Sequence, residues 1–325
     1  MTLRTRLTER LGIVHPIVSA PMGLVGGGAL AAAVSAAGGL GLIGGGYGDA
    51  AWLEREFAAA GNTRVGGGFI TWSLARQPAL LDRALGHGPA AMMLSFGDPR
   101  PFAAAIRRAG ARLICQAQTL AHVREALAAG ADIIVAQGAE AGGHGARRGT
   151  LALVPEAADL LARDSPDTLL LAAGGIADGR GLAAALLLGA DGVLMGTRFW
   201  ASREARIHAN LQAAALAASG DDTIRTTTVD IVRGHDWPKP FDIRVLRNDF
   251  VARWHGREAE LAAAREAEAA RYFAAADAGV AADTAVMVGE AAGLIADLPP
   301  AGTIVERVAA EAEALLGRRG PGLVG

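Results

Sequence analysis

Short apolar runs rich in valine, isoleucine, leucine and methionine alternate with alanine-rich amphipathic stretches through the first 200 residues. The runs read as buried strands at 16–20 (PIVSA), 39–44 (GLGLIG), 64–70 (RVGGGFI), 90–96 (AAMMLSF), 112–118 (RLICQAQ), 132–137 (DIIVAQ), 169–175 (LLLAAGG) and 192–197 (GVLMGT). Helices are predicted between them, at about 28–37, 50–60, 73–85, 99–109, 119–129, 154–163 and 180–188. Connections of this length suit crossovers between parallel strands rather than hairpins. Three junctions, AGARLIC (109–115), AGADIIV (129–135) and LGADGVL (188–194), close a helix at glycine and open a strand after a polar residue. Glycine at such a point takes the left-handed cap that ends a helix. Eight units in succession predict a (β/α)8 TIM barrel ahead of an open doubly wound sheet.

The pattern changes after Arg198. Residues 201–219 and 254–274 read as helices, separated by the aromatic, proline-bearing stretch TTTVDIVRGHDWPKPFDIRVLRNDF, and a last helix is predicted at 302–315. The chain therefore divides into a barrel, residues 1–199 with a returning segment 286–325, and a mostly helical elaboration after strand eight, residues 200–285, covering the active site.

Composition narrows the partners. A formal charge of −2 argues against a broad nucleic-acid footprint. Cys115 is the only cysteine, which excludes an intrachain disulfide and a cysteine-rich zinc site. The N-terminus, MTLRTRLTERLG, is amphipathic and a poor secretory signal, while Asp191 and glycines interrupt LAAALLLGADGVLM well short of a bilayer span. A soluble cytoplasmic protein with no membrane partner is expected, and the composition suits a homodimer and a monomer equally.

Glycine, 44 residues in all, gathers where the predicted strands end: SAPMG, GGG, AEAGGHG, AAGGIADG and MGTRF follow strands one, two, six, seven and eight. In a (β/α)8 barrel the ligand site lies at these carboxyl ends. The last two loops are neighbours at the usual phosphate position, where the backbone N–H groups of Gly174, Gly175, Gly196 and Thr197, with the Thr197 hydroxyl, are placed to cradle an anion. Plain tight turns are the alternative reading of the same glycines. No clean G-x-G-x-x-G supports a dinucleotide fold. A flavin mononucleotide across the barrel mouth, contacted by Ala20, Pro21 and Met22, suits the phosphate better. His144, amid AGG–G at the end of strand six, is the candidate catalytic residue, and His235 in RGHDWP is the other histidine placed to reach the site. No compact His/Asp/Glu set suggests a metal, no G-x-S-x-G marks a nucleophilic serine, and lysine is nearly absent, with Lys239 outside the predicted strands.

Together PIVSAPMG, GGLGLIGGG, GGGFITWSL, IIVAQGAEAGGHGA, LAAGGIADGRGLAAALLLGADGVLMGTRF and GEAAGLI closely resemble the nitronate monooxygenase family, the 2-nitropropane dioxygenase-like flavoproteins. The resemblance implies an FMN-containing (β/α)8 barrel that oxidises alkyl nitronates with O2 to carbonyl products and nitrite. Carried onto this chain, it implies that Ala20, Pro21 and Met22 underlie the flavin and that Gln116 and Gln137 face its ring. It implies further cofactor contacts from Gly143, Ala173, Gly174, Gly175, Gly196 and Thr197, with His144 as the active-site histidine. One departure is Gly68 before Phe69, where many relatives have asparagine. Two other readings stay open: an FMN- and NAD(P)H-dependent enoyl-acyl carrier protein reductase of the FabK type, and a flavin-binding redox sensor of low turnover.

Overall fold

The computed structural model describes residues 3–317. In chain order the strands are β1 (Ile17–Ser19), β2 (Leu42–Gly46), β3 (Gly66–Ile70), β4 (Ala91–Ser95), β5 (Arg112–Ala117), β6 (Ile133–Gln137), β7 (Gly143–Gly145), β8 (Leu169–Ala173), β9 (Gly192–Met195), β10 (Thr223–Thr226) and β11 (Asp242–Leu246). Eight of them form one parallel sheet in the order β1-β9-β8-β6-β5-β4-β3-β2. A parallel bridge from Val18 to Leu40, just before β2, brings the two ends of the sheet together. The fold is a (β/α)8 barrel, and each of its eight strands lies within or beside one of the eight apolar runs.

Alternation along the strands sorts their side chains into two cores. Val18, Met93, Ile114, Val135, Leu171 and Leu194 pack together inside the barrel, joined by Leu7 and Leu11 from the helix Arg6–Leu11. That helix plugs the amino end: a Cβ on Gly192 would come within 2.6 Å of the Leu7 side chain. Their neighbours Ile17, Met92, Ile134, Leu170 and Val193 point outward, into the core shared with Val34, Phe57, Ile106, Val123 and Leu160 of the surrounding helices. With both faces buried, the strands read as continuous apolar runs rather than alternating ones.

The predicted helix 73–85 is two, Thr71–Leu74 and Ala79–Gly86, with Pro78 at the second start, where its missing N–H breaks no helical bond. Residues 200–285 hold the helices Ala209–Leu216, Thr228–Arg233, Asp249–Trp254, Glu258–Ala263 and Arg265–Ala278 together with β10 and β11. The two strands pair antiparallel, and β11 pairs in turn with β7, Ile243 opposite His144. The described part of the returning segment includes the helix Ala301–Gly317, which buries Ile304, Val305, Val308 and Ala312 in the barrel's outer core. Residues 318–325 of that segment lie outside the described residues. Among the described residues no helix is long and apolar enough to cross a membrane.

Close backbone approach fixes the floor of the carboxyl end. A Cβ on Gly44 would lie 2.2 Å from the Met22 carbonyl oxygen, and backbone cannot yield cheaply there. Gly44→Ala is expected to push the 20–23 loop outward and cost about 1–3 kcal/mol of stability, read as a lower urea midpoint.

Candidate active site

At the carboxyl end of the barrel, two adjoining cavities of about 380 and 230 Å³ share Ala20, Pro21, Phe96, Gln137, His144 and Leu194 in their walls. The smaller also touches Met22, Gly143, Ala173, Gly174, Gly175, Gly196 and Thr197, and the larger Gln116. The structure thus brings His144 and the cofactor-contact residues singled out in the sequence to one place; His235 lines neither cavity.

The loop after β6 is held from three sides. Glu140 accepts the Thr150 backbone N–H at 2.9 and 3.0 Å and the Thr150 hydroxyl at 2.8 Å. The Glu140 carbonyl accepts from Glu290 N at 2.9 Å, tying the loop to the GEAAGLI segment. Arg225 and Arg244, from β10 and β11, both donate to the Ala139 carbonyl at 3.0 Å. Gln137 donates from Nε2 to the His144 carbonyl at 2.8 Å, so its amide nitrogen orders this loop. Gln116 differs: its Nε2 is shut off from solvent and has no partner among the described residues. A buried donor left so is costly, and one lining a cavity marks where a ligand acceptor belongs.

Gly174 and Gly175 sit at φ +99° and +74°, which side-chain-bearing residues rarely adopt. Their conformation exposes backbone at the β8 end beside Gly196 and Thr197, which opens the short helix Thr197–Trp200. The Thr197 hydroxyl oxygen accepts from Gly289 N at 3.0 Å, and its proton remains available to an anion. Phe96, which touches both cavities, holds φ +62°, a strained value for a non-glycine residue and one that clusters at functional sites. Gly68 lets Pro21 approach closely: a Cβ on it would meet Pro21 Cγ at 2.5 Å.

His144 is fixed by partners that sequence reading missed. Its Nε2 lies 2.9 and 3.0 Å from the two carboxylate oxygens of Asp230, on the helix Thr228–Arg233. The side chains are 9% and 4% exposed, so the pair meets in a medium of low polarity. A carboxylate only accepts, so Nε2 carries the ring proton and Nδ1 presents its lone pair. Burial pulls the His144 pKa below its ordinary value, against the opposing pull of the Asp230 hydrogen bond and charge. His144 is accordingly a neutral base.

Aromatic rings surround it. Trp237 stacks on the imidazole with centroids 3.4 Å apart and donates from Nε1 to the Tyr47 hydroxyl at 2.8 Å. His235 lines neither cavity; it stacks on Tyr47 at 3.8 Å, and burial, with the Arg233 charge, lowers its pKa to about 4. It is a neutral residue that backs Tyr47. The signal for Asp230 was a lone acid inside TTTVDIVRG, and for Trp237 an aromatic beside the proline in HDWP.

The sequence profile of the nitronate monooxygenase family matches residues 4–65 and 70–311. The chain is 38% identical over 332 residues to the nitronate monooxygenase npaC of Metarhizium robertsii, covering 92% of this chain and 91% of that protein. Among solved structures, FabK from Thermotoga maritima superposes with a TM-score of 0.85 at 32% identity, over 98% of both chains. A nitroalkane oxidase from Streptomyces ansochromogenes superposes with a TM-score of 0.80 at 29% identity, over 96% of this chain and 99% of that one.

Proposed function

The chain belongs to the nitronate monooxygenase family of flavin-dependent oxidoreductases, and from that premise we propose that it binds FMN and oxidises alkyl nitronates with O2 to carbonyl products and nitrite. The observation that carries the reading is the buried His144–Asp230 pair, with a neutral imidazole facing the cavity that adjoins the phosphate-type turns.

The residues present fit FMN. Gly174, Gly175, Gly196 and Thr197 would hold its phosphate, Ala20, Pro21 and Met22 its ring, and the partnerless Gln116 Nε2 would donate to a ring acceptor. Bound FMN supplies the electron-transfer and oxygen chemistry, and the chain supplies orientation and proton handling. Trp237 and Phe96 shield the reacting carbon from water on the His144 side. His144 Nδ1 accepts the α-proton of a neutral nitroalkane, forming the nitronate in place, and Asp230 stabilises the imidazolium so produced. A substrate that enters already as the nitronate needs no such step.

A second reading, NAD(P)H-dependent reduction of an enoyl thioester, is favoured by the likeness to FabK, whose TM-score exceeds that of the nitroalkane oxidase. There the protonated His144–Asp230 pair would return a proton to the substrate carbon. Anaerobic mixing separates the two. We expect the purified yellow protein to release FMN on denaturation, ethyl nitronate to bleach its visible spectrum quickly, and NADH to bleach it slowly. Readmitting O2 with nitronate then yields nitrite. Fast bleaching by NADH followed by crotonyl-thioester reduction would establish the second reading instead.

A further inference from the structure

The larger cavity extends past His144 over the ends of β2 and β3, where Arg233 and Tyr47 form its rim. Among the described residues, Arg233 is the only arginine or lysine in either cavity wall. It closes the helix Thr228–Arg233 three residues after Asp230, so both lie on one helix face, Asp230 directed at His144 and Arg233 at the cavity. Asp230 gives both oxygens to His144 and forms no ion pair with Arg233. Among the described residues no carboxylate pairs with Arg233 and its guanidinium makes no hydrogen bond; it lies over the Tyr47 ring, at 5.6 Å. By contrast Arg225 and Arg244, in the neighbouring sheet, are engaged by carbonyls and carboxylates. Tyr47 is in the same condition. Its hydroxyl oxygen accepts the Trp237 indole N–H, while its own proton has no acceptor among the described residues, and burial raises its pKa to about 12, keeping that proton in place. Asp49, the one carboxylate in this cavity wall, is occupied in capping Trp52 N at 3.0 Å.

We propose that Arg233 and Tyr47 form an oxyanion anchor that selects substrates bearing a carboxylate or phosphate a few bonds from the carbon that reacts beside His144. The inference rests on the oxidative reading for its substrate assay but not for its binding assay. Planar N–H pairs of a guanidinium match either oxyanion, and a partly buried, otherwise unpaired arginine favours that partner over water.

The holoenzyme is assayed with two nitronates of equal chain length, from 4-nitrobutanoate and from 1-nitrobutane. Native enzyme is expected to prefer the carboxylated one in kcat/KM, through KM. Arg233→Gln is expected to reduce that preference roughly 10–100-fold, the worth of a charge-assisted hydrogen-bond pair, with Arg233→Lys restoring part of it and Tyr47→Phe weakening it less. In parallel, glutarate and inorganic phosphate are titrated against the flavin spectrum of native and Arg233→Gln protein. A response in the native protein only supports the anchor, and the stronger responder identifies the oxyanion. Turnover of both nitronates with equal KM, unaltered by Arg233→Gln, overturns the anchor and leaves nitronate oxidation standing. Turnover of neither overturns nitronate oxidation, and the titration then decides the anchor alone: no response to glutarate or phosphate in native protein refutes it.

Discussion

His144→Ala is expected to retain FMN at full stoichiometry while turnover of a neutral nitroalkane falls roughly 10²–10⁴-fold, the usual worth of one positioned acid–base group. Retention follows from position: the turns of Gly174, Gly175, Gly196 and Thr197 belong to the β8 and β9 ends, while His144 lies on β7 in the separate three-stranded sheet. Loss follows from the state of the ring. With Nε2–H directed at Asp230, Nδ1 is the lone pair offered to the cavity, and the depressed pKa keeps it free over most of the physiological range. Comparing nitroethane with preformed ethyl nitronate gives the role directly. A base is needed only by the former, so the loss should be far steeper there. Equal losses on both would assign His144 to charge stabilisation, and no loss on either would remove it from the chemistry.

The barrel was legible because its strands are buried on both faces, leaving eight apolar runs punctuated by glycine-capped helices. Loop chemistry was equally local: the glycines of AAGGIADG and AEAGGHG carry the backbone freedom that exposes the cavity, and the structure finds them there. What escaped is what only tertiary contact creates. β7 is Gly-His-Gly, with no alternation of its own, and becomes a strand because β11 pairs with it, about a hundred residues later. Asp230 stands 86 residues from His144 in sequence, in a short helix whose other buried residues are Thr228, Val229 and Val232. Nothing in TVDIVR distinguishes an acid aimed at a histidine from one facing water. His235, the histidine noticed in that segment, packs on Tyr47, and the two functional neighbours flanking it, Arg233 and Trp237, carry the contacts to the cavity.

Asp230→Asn is the substitution that isolates charge from shape. The amide keeps an oxygen able to accept the Nε2 proton, so the ring should stay in place with FMN bound, but the buried negative charge is gone. In the native protein that charge raises the His144 pKa, partly offsetting the burial that lowers it. Removing it lowers the pKa further. A base acts in its neutral form, above its pKa, so the acidic limb of kcat/KM for nitroethane should move to lower pH. Yet the weaker base and its uncompensated imidazolium slow proton removal at every pH, and the plateau is expected to drop on the order of 10²-fold or more, as for a triad carboxylate made neutral. Preformed ethyl nitronate should be much less affected. The two movements together, a lower plateau with a limb displaced toward acid, cannot come from loosened packing, which lowers the plateau and leaves the limb in place. An unshifted limb would make Asp230 a structural partner only, and the neutral-base reading of His144 would lose its support.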